Sequence, residues 1–162
     1  MAIGYRLTAD ELTALCWLTN NKTFKMLNIN YDFSLGKFDA VYEKIIKKKL
    51  IHENAEGYIL DPVINYIMNI LTASRYYMFD LNGCNVIING GDSVLFMHRD
   101  GVTSDIWHIF PYEKLIDVLM DDKQFCEDED YIYLYDAYKD ENTECKWNYY
   151  CERMMQNEQG ID

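Results

Sequence analysis

Cysteine is the residue type here best suited to metal binding or nucleophilic catalysis, but its spacing predicts neither. Cys126, Cys145 and Cys151 are 19 and 6 residues apart, and the sequence contains no CxxC or HxxxH pattern of a zinc site. Cys16 and Cys84 fall in apolar stripes, where a thiol packs as a small apolar side chain. We therefore expect no metal centre and no cysteine nucleophile.

Two histidines, His98 and His108, flank one predicted hairpin. A tight turn at residues 100–103 would set His98 opposite Asp105 and not opposite His108. This register predicts a hydrogen bond between a histidine and an aspartate within an ordinary sheet.

The glycine and acidic clusters also lack the spacing of known sites. Gly90 and Gly91 belong to no GxxxxGK[ST] or GxGxxG pattern, so they indicate a turn. The acidic run at 127–130 lacks the glycine and the spacing of an EF-hand loop, and it favours a solvated face or a partner-binding segment. The sequence thus predicts no catalytic residue and no cofactor, and we do not expect an enzyme.

The charge is strongly and unevenly negative. The net charge is −12 over 162 residues, and residues 121–162 alone hold 13 acidic and 4 basic side chains. Such a surface repels phosphate backbones and anionic lipids, so nucleic acid and membranes are poor partners.

The opening residues and the cysteines predict a location. Residues 1–6 have no long apolar run of a secretory signal, and no segment reaches the roughly 18 apolar residues of a membrane span. The five cysteines are irregularly spaced, which is typical of free thiols in a reducing compartment. We expect a soluble cytoplasmic protein.

Local signals predict helices and a small wing over residues 5–74. Thr8 and Glu11 have the spacing of a capping box that begins a first helix, and a second helix is expected from about Ser34. A turn at 54–57 separates two short strands, and Asp61 followed by proline begins a third helix. Four lysines fall near the end of the second helix: Lys44, Lys47, Lys48 and Lys49.

Residues 75–122 read as an antiparallel β-meander followed by a helix. The run at 94–97 is apolar on both faces, which is typical of a central strand covered on both sides. Pro111 is expected to begin the helix. Asn-Gly and Asp-Gly turns separate the predicted strands, which are 76–81, 84–88, 93–99 and 104–110.

The segment 123–162 is an acidic, tyrosine-rich extension. Residues 131–135 predict an edge strand, and residues 147–155 predict a short helix. Tyrosine and tryptophan combine an apolar face with a polar tip and are enriched at protein interfaces. We expect five of these side chains to bind a partner, with packing on the protein's own sheet as the alternative: Tyr131, Tyr133, Tyr135, Trp147 and Tyr150.

Several short motifs in order carry a resemblance over about residues 5–122. The sequence resembles the EspG family of type VII secretion chaperones, and more closely the short EspG-like proteins of Gram-positive type VII gene clusters. The motifs are LTADEL at 7–12, KLI at 49–51, EGYILDP at 56–62, the helix at 63–71, YYM at 76–78, VLFMHRDG at 94–101 and WHIFP at 107–111.

The resemblance implies an α+β fold, with an EspG-like domain at 1–122 whose central antiparallel sheet is flanked by helical parts. It implies a cytosolic chaperone or adaptor that binds a helical secretion substrate through the sheet and a nearby loop. Longer members carry a second, pseudo-repeated half. In this chain that half is expected to be missing or to be replaced by the acidic, tyrosine-rich tail, and a homodimer would supply it.

Two other functions fit parts of the sequence. Three helices and a wing have the order of a winged-helix DNA-binding regulator, and the lysines of the second helix favour it, although the acidic charge opposes it. An acidic immunity protein or inhibitor that blocks a basic toxin would use the cluster at 127–130.

Overall fold

The computed structural model describes residues 4–19, 35–120, 125 and 129–158, and its central feature is an antiparallel sheet of seven strands. The strands are β1 (Tyr5–Thr8), β2 (Ile51–Asn54), β3 (Gly57–Leu60), β4 (Tyr76–Phe79), β5 (Asn85–Asn89), β6 (Val94–His98), β7 (Ile106–Tyr112), β8 (Tyr131–Asp136) and β9 (Glu141–Lys146). The helices are α1 (Ala9–Thr19), α2 (Leu35–Lys47), α3 (Pro62–Ala73), α4 (Leu115–Met120) and α5 (Trp147–Glu158).

The large sheet has the order β1-β7-β6-β5-β4-β8-β9, and the pair β2–β3 forms a separate hairpin. The four meander strands β4 to β7 are neighbours in chain order, as the turn signals predict. The α+β class and the antiparallel sheet are therefore confirmed. The segment after residue 122 adds β8 and β9 beside β4, so it continues the same sheet.

Helices cover both faces of the sheet. Because side chains alternate along a strand, Leu95 and Met97 of β6 face a first core, while Val94 and Phe96 face a second. The first core lies under α1, α2 and α3, and the second lies under α4 and α5. The prediction of a central strand covered on both sides at 94–97 is confirmed.

The predicted helix starts are also confirmed. Thr8 Oγ1 accepts a hydrogen bond from the Glu11 amide at 3.0 Å, and Glu11 Oε1 accepts one from the Thr8 amide at 2.9 Å. Asp61 caps α3 by accepting a hydrogen bond from the Val63 amide, with proline at the first helical position. These reciprocal bonds satisfy amide groups that have no partner within the helix.

The predicted start of a helix at Pro111 is wrong. Strand β7 continues to Tyr112, and α4 begins only at Leu115. Pro111 lies opposite Leu95 and beyond Ile109, the last residue of β7 that pairs with β1. Proline is tolerated there because one side of the strand has no neighbour that needs its missing amide hydrogen.

Two predicted strand relationships are also wrong. His98 lies opposite His108, because residues 99–105 form a longer connection than the assumed tight turn. Strand β8 is not an edge strand, since it pairs with both β4 and β9. Cys126 and the acidic residues 127 and 128 lie outside the described residues.

Candidate functional site

Three tyrosines of β8 form a column on one face of the sheet. Tyr131, Tyr133 and Tyr135 alternate with Ile132 and Leu134, which face the second core. Tyr131 is 44% exposed and Tyr133 is 39% exposed. Helix α3 on this side packs against β5 and β6, so the helical layer leaves these two rings open to solvent.

Tyr135 is the inner end of this column. Its ring packs on the first core and lies 6.2 Å from the ring of Tyr77, measured between centroids. Its hydroxyl donates a hydrogen bond of 2.6 Å to Asp140 Oδ1 in the turn between β8 and β9. Tyr135 is therefore held in place, and it anchors the exposed part of the column to the core.

Trp147 and Tyr150, the other two predicted contact residues, lie on α5 and face the second core. Trp147 is 8% exposed, and its ring lies 4.8 Å from Phe125 and 5.9 Å from Tyr150. Burial raises the pKa of the Tyr150 hydroxyl above its ordinary value. Trp147 is thus buried in the second core, and Tyr150 packs partly buried against it.

A cavity of about 760 Å³ opens beside the tyrosine column on the same face of the sheet. Its apolar wall includes Phe79, Tyr133 and Tyr135, and its polar wall includes Arg99 and Asp140. We refer to it as the Arg99 cavity. Its volume lies within the usual range of ligand pockets, roughly 300–1,000 Å³.

Arg99 is the most unusual residue of this cavity. It is 7% exposed, and its guanidinium carbon lies 5.2 Å from the centre of the Trp107 ring. Its Nε donates a hydrogen bond of 3.2 Å to the Gly83 carbonyl, whereas its buried Nη1 has no hydrogen-bond partner among the described residues. A buried cation without a full set of acceptors is costly, so this arrangement calls for an explanation.

Asp80 lines the same cavity but does not neutralise Arg99. Its Oδ1 accepts hydrogen bonds from the Cys84 and Asn85 amides at 2.9 and 3.1 Å, and its Oδ2 accepts one from Asn85 Nδ2 at 2.8 Å. Asp80 thus fixes the turn between β4 and β5. No acidic oxygen in the described part of the chain lies within 4.0 Å of the Arg99 guanidinium.

The opposite face carries a second concavity, a groove of about 530 Å³ between the sheet and α5. Met78, Leu134 and Met154 contribute to its apolar lining, and Tyr76 and the Arg75–Asp136 pair also border it. The groove is continuous with the second core, in which Met78 is 4% exposed.

The paired histidines form a small polar cluster at the C-terminal end of β6. The rings of His98 and His108 are 6.2 Å apart between centroids. His98 contacts Asn85 Oδ1 at 2.7 Å and Asp100 Oδ1 at 3.2 Å. Within the described ranges, no three His, Cys, Asp or Glu side chains converge with metal-ligand geometry.

No protein-family model matches the sequence, and no curated protein matches it. The helices of the described ranges are all too short or too polar to cross a membrane.

Sequence reasoning placed Tyr131, Tyr133 and Tyr135 on a strand but missed Arg99. A usable signal was present, because Leu95, Met97 and Arg99 alternate on one face of β6 and its continuation. An arginine in register with two buried apolar residues indicates a charge directed towards the core.

Proposed function

We propose that this chain is a cytoplasmic adaptor or chaperone that binds a helical secretion substrate of a type VII system through the tyrosine column of β8. The observation that carries this proposal is the exposure of Tyr131 and Tyr133 on a strand whose other face packs into the second core. Exposed aromatic side chains on a rigid element are typical of protein interfaces, because they bury large areas at low entropic cost.

The geometry of the column suits a helical client. Alternate residues of a strand repeat at about 6.7 Å, and successive turns of a helix repeat at about 5.4 Å. Two or three neighbouring tyrosines therefore match successive side chains of one apolar helical stripe, laid along β8. This is the helix-in-groove mode of recognition, with the sheet as the floor.

Charge limits the choice of client. Strand β9, which borders the column, places Glu144 opposite Tyr133 and Lys146 opposite Tyr131. Lys146 is paired with Glu129 at 3.0 Å, and the connecting turn carries Asp140, so the border stays acidic on balance. Acidic borders favour a client whose apolar stripe is flanked by neutral or basic residues and disfavour an acidic one.

Three further features agree with the proposal. The resemblance to EspG-like chaperones implies a sheet-based contact with a helical substrate. Cys16, Cys84, Cys145 and Cys151 are free thiols, which suits a reducing compartment. Lys37 of α2 and Lys48, which directly follows α2, are paired with Asp10 and Glu11 at 3.3 and 2.8 Å, which lowers the positive charge available for DNA.

The test is capture of the client by the tagged full-length chain from its native cytosol, followed by affinity measurement with the purified client. We expect a secreted, mainly helical protein to bind, and the double variant Y131A/Y133A to weaken binding by about tenfold or more. Y66A is the matched control, because Tyr66 is 40% exposed but lies on α3.

Equal affinities of the double variant and the wild type for such a client would reject the tyrosine column as the contact surface. Recovery of DNA would instead favour the winged-helix regulator. Recovery of a basic toxin would favour the immunity protein.

A further inference from the structure

The structure contains two arginines whose surroundings differ in an informative way. Arg75 meets Asp136 with two hydrogen bonds, from Nε at 2.9 Å and from Nη2 at 2.8 Å. Arg99 is more deeply buried, yet it has only one described acceptor, the Gly83 carbonyl, and no carboxylate. Asp136 thus takes up the paired donors of Arg75, whereas no carboxylate of the described residues meets the guanidinium of Arg99.

Arg99 is positioned firmly enough to act as a binding group. The Nε–Gly83 hydrogen bond and the stacking on Trp107, which is fully buried, fix the guanidinium at the wall of the cavity. A fixed donor loses little conformational entropy when a ligand arrives. Burial also weakens screening by water, so an anion that reaches Arg99 is bound more strongly than at the surface.

The remaining walls of the cavity define what accompanies the anion. Phe79 and the rings of Tyr133 and Tyr135 provide an apolar surface, and Asn82 and Asn142 provide neutral polar groups. An aromatic or branched apolar group fits against these rings while the charged end of the same ligand reaches Arg99.

The charges of the cavity limit the anion to a single negative charge. Asp80 and Asp140 also line the walls, so Arg99 is accompanied by two carboxylates. A phosphate, with a charge near −2, meets strong repulsion there, whereas one carboxylate meets less repulsion and gains a charged hydrogen-bond partner in Arg99.

We propose that the Arg99 cavity binds one carboxylate that lies next to an apolar or aromatic group, with Arg99 as its charged partner. The chemistry is the same whether a free small acid or the C-terminal residue of a polypeptide supplies the carboxylate. Tyr133 and Tyr135 belong both to the cavity and to the tyrosine column. A polypeptide carboxylate bound here could therefore come from the client, and only that assignment rests on the proposed function.

The proposal is tested by titrating the full chain with phenylacetate. Binding is measured by calorimetry and by the backbone NMR shifts of residues 79–83 and 133–142. Phenylacetamide, which has the same shape but no charge, is the matched ligand control. We expect phenylacetate to bind and phenylacetamide to bind at least about tenfold more weakly, as is typical for loss of a charged hydrogen bond. Absence of any difference between the two ligands, or of binding itself, overturns the proposal.

Two variants locate the binding. R99Q removes the charge, and it is expected to lower phenylacetate affinity by about tenfold or more while leaving phenylacetamide unchanged. Y133A removes an exposed ring, so it is expected to fold normally and to weaken both ligands by a few-fold. If R99Q does not fold, the proposal is still tested by Y133A and by the comparison of phenylacetate with phenylacetamide. Equal affinity of Y133A and the wild type for phenylacetate would contradict binding in the Arg99 cavity.

A peptide pair identifies the source of the carboxylate. Acetyl-Ala-Ala-Phe with a free C-terminus is compared with its amide. Tighter binding of the free peptide than of phenylacetate assigns the cavity to a polypeptide end, and weaker binding assigns it to a small acid. If phenylacetate binds but no client is captured, the proposed function alone is rejected. If a client is captured but phenylacetate does not bind, the proposal of a carboxylate site in the Arg99 cavity alone is rejected.

Discussion

Arg75 and Asp136 join the beginning of β4 to the end of β8 through two parallel hydrogen bonds of 2.9 and 2.8 Å. The hydrogen bond from Arg75, helped by the amides of Lys139 and Tyr138, lowers the pKa of Asp136 from 3.8 to about 2. The pair therefore links the meander strands to the tyrosine-bearing strand through a charge that depends on pH.

This shift predicts a pH-dependent loss of stability in R75Q. Because the folded-state pKa of Asp136 is below its ordinary value, the pair stabilises the folded protein above about pH 4, and its contribution disappears as the pH falls towards 2. Urea unfolding at several pH values should show R75Q less stable than the wild type at pH 6, with a difference that narrows below pH 4. The exposed Arg6 supplies the control variant R6Q. A difference between wild type and R75Q that is constant from pH 6 to pH 2.5 would contradict the assigned role.

The capping box at the start of α1 predicts a specific cost for T8A. Removal of the Thr8 hydroxyl leaves the Glu11 amide without its partner, so the free energy of unfolding should fall by about 1 kcal/mol. T8S, which keeps the hydroxyl, should lose much less, and the exposed T103A should lie within about 0.5 kcal/mol of the wild type. Equal stabilities of T8A and T8S, measured by urea unfolding, would show that the hydroxyl does not cap the helix.

The buried thiol of Cys16 predicts selective chemical modification. Burial raises the pKa of Cys16 to about 12, so at pH 8 almost no reactive thiolate is present. Iodoacetamide treatment of the folded protein, followed by mass spectrometry, should leave Cys16 unmodified, whereas treatment in urea should modify it. Cys145, on β9, is partly exposed and should react faster than Cys16, although burial raises its pKa as well. Modification of both at one rate in the folded protein would contradict the burial of Cys16.

The features predicted correctly from the sequence depend on neighbouring residues. The capping box at Thr8, the proline start after Asp61 and the meander turns are each decided within a few residues. Strand β1 was not predicted, because its partner β7 lies about a hundred residues away in the chain. Strand β9 was not predicted, because its residues are polar and largely exposed, without the alternation that indicates a strand.

The candidate site was predictable only in part, for a similar reason. Alternation along β8 is a local property, so the shared face of Tyr131, Tyr133 and Tyr135 follows from the sequence. The cavity is not local, since it depends on how β4 and β8 pair and on where the turn at Gly83 meets Arg99. The burial of Trp147 likewise depends on Phe125, a contact between separate segments.

The pairing of β8 with β4 has a consequence for synthesis on the ribosome. Strand β4 is complete at residue 79, but its outer neighbour begins only at residue 131. Until that later segment emerges, the nascent chain presents an open strand edge with apolar residues on both faces, a state prone to joining with other chains. The polar strand β9, added last, then gives the finished sheet a charged border that discourages such association.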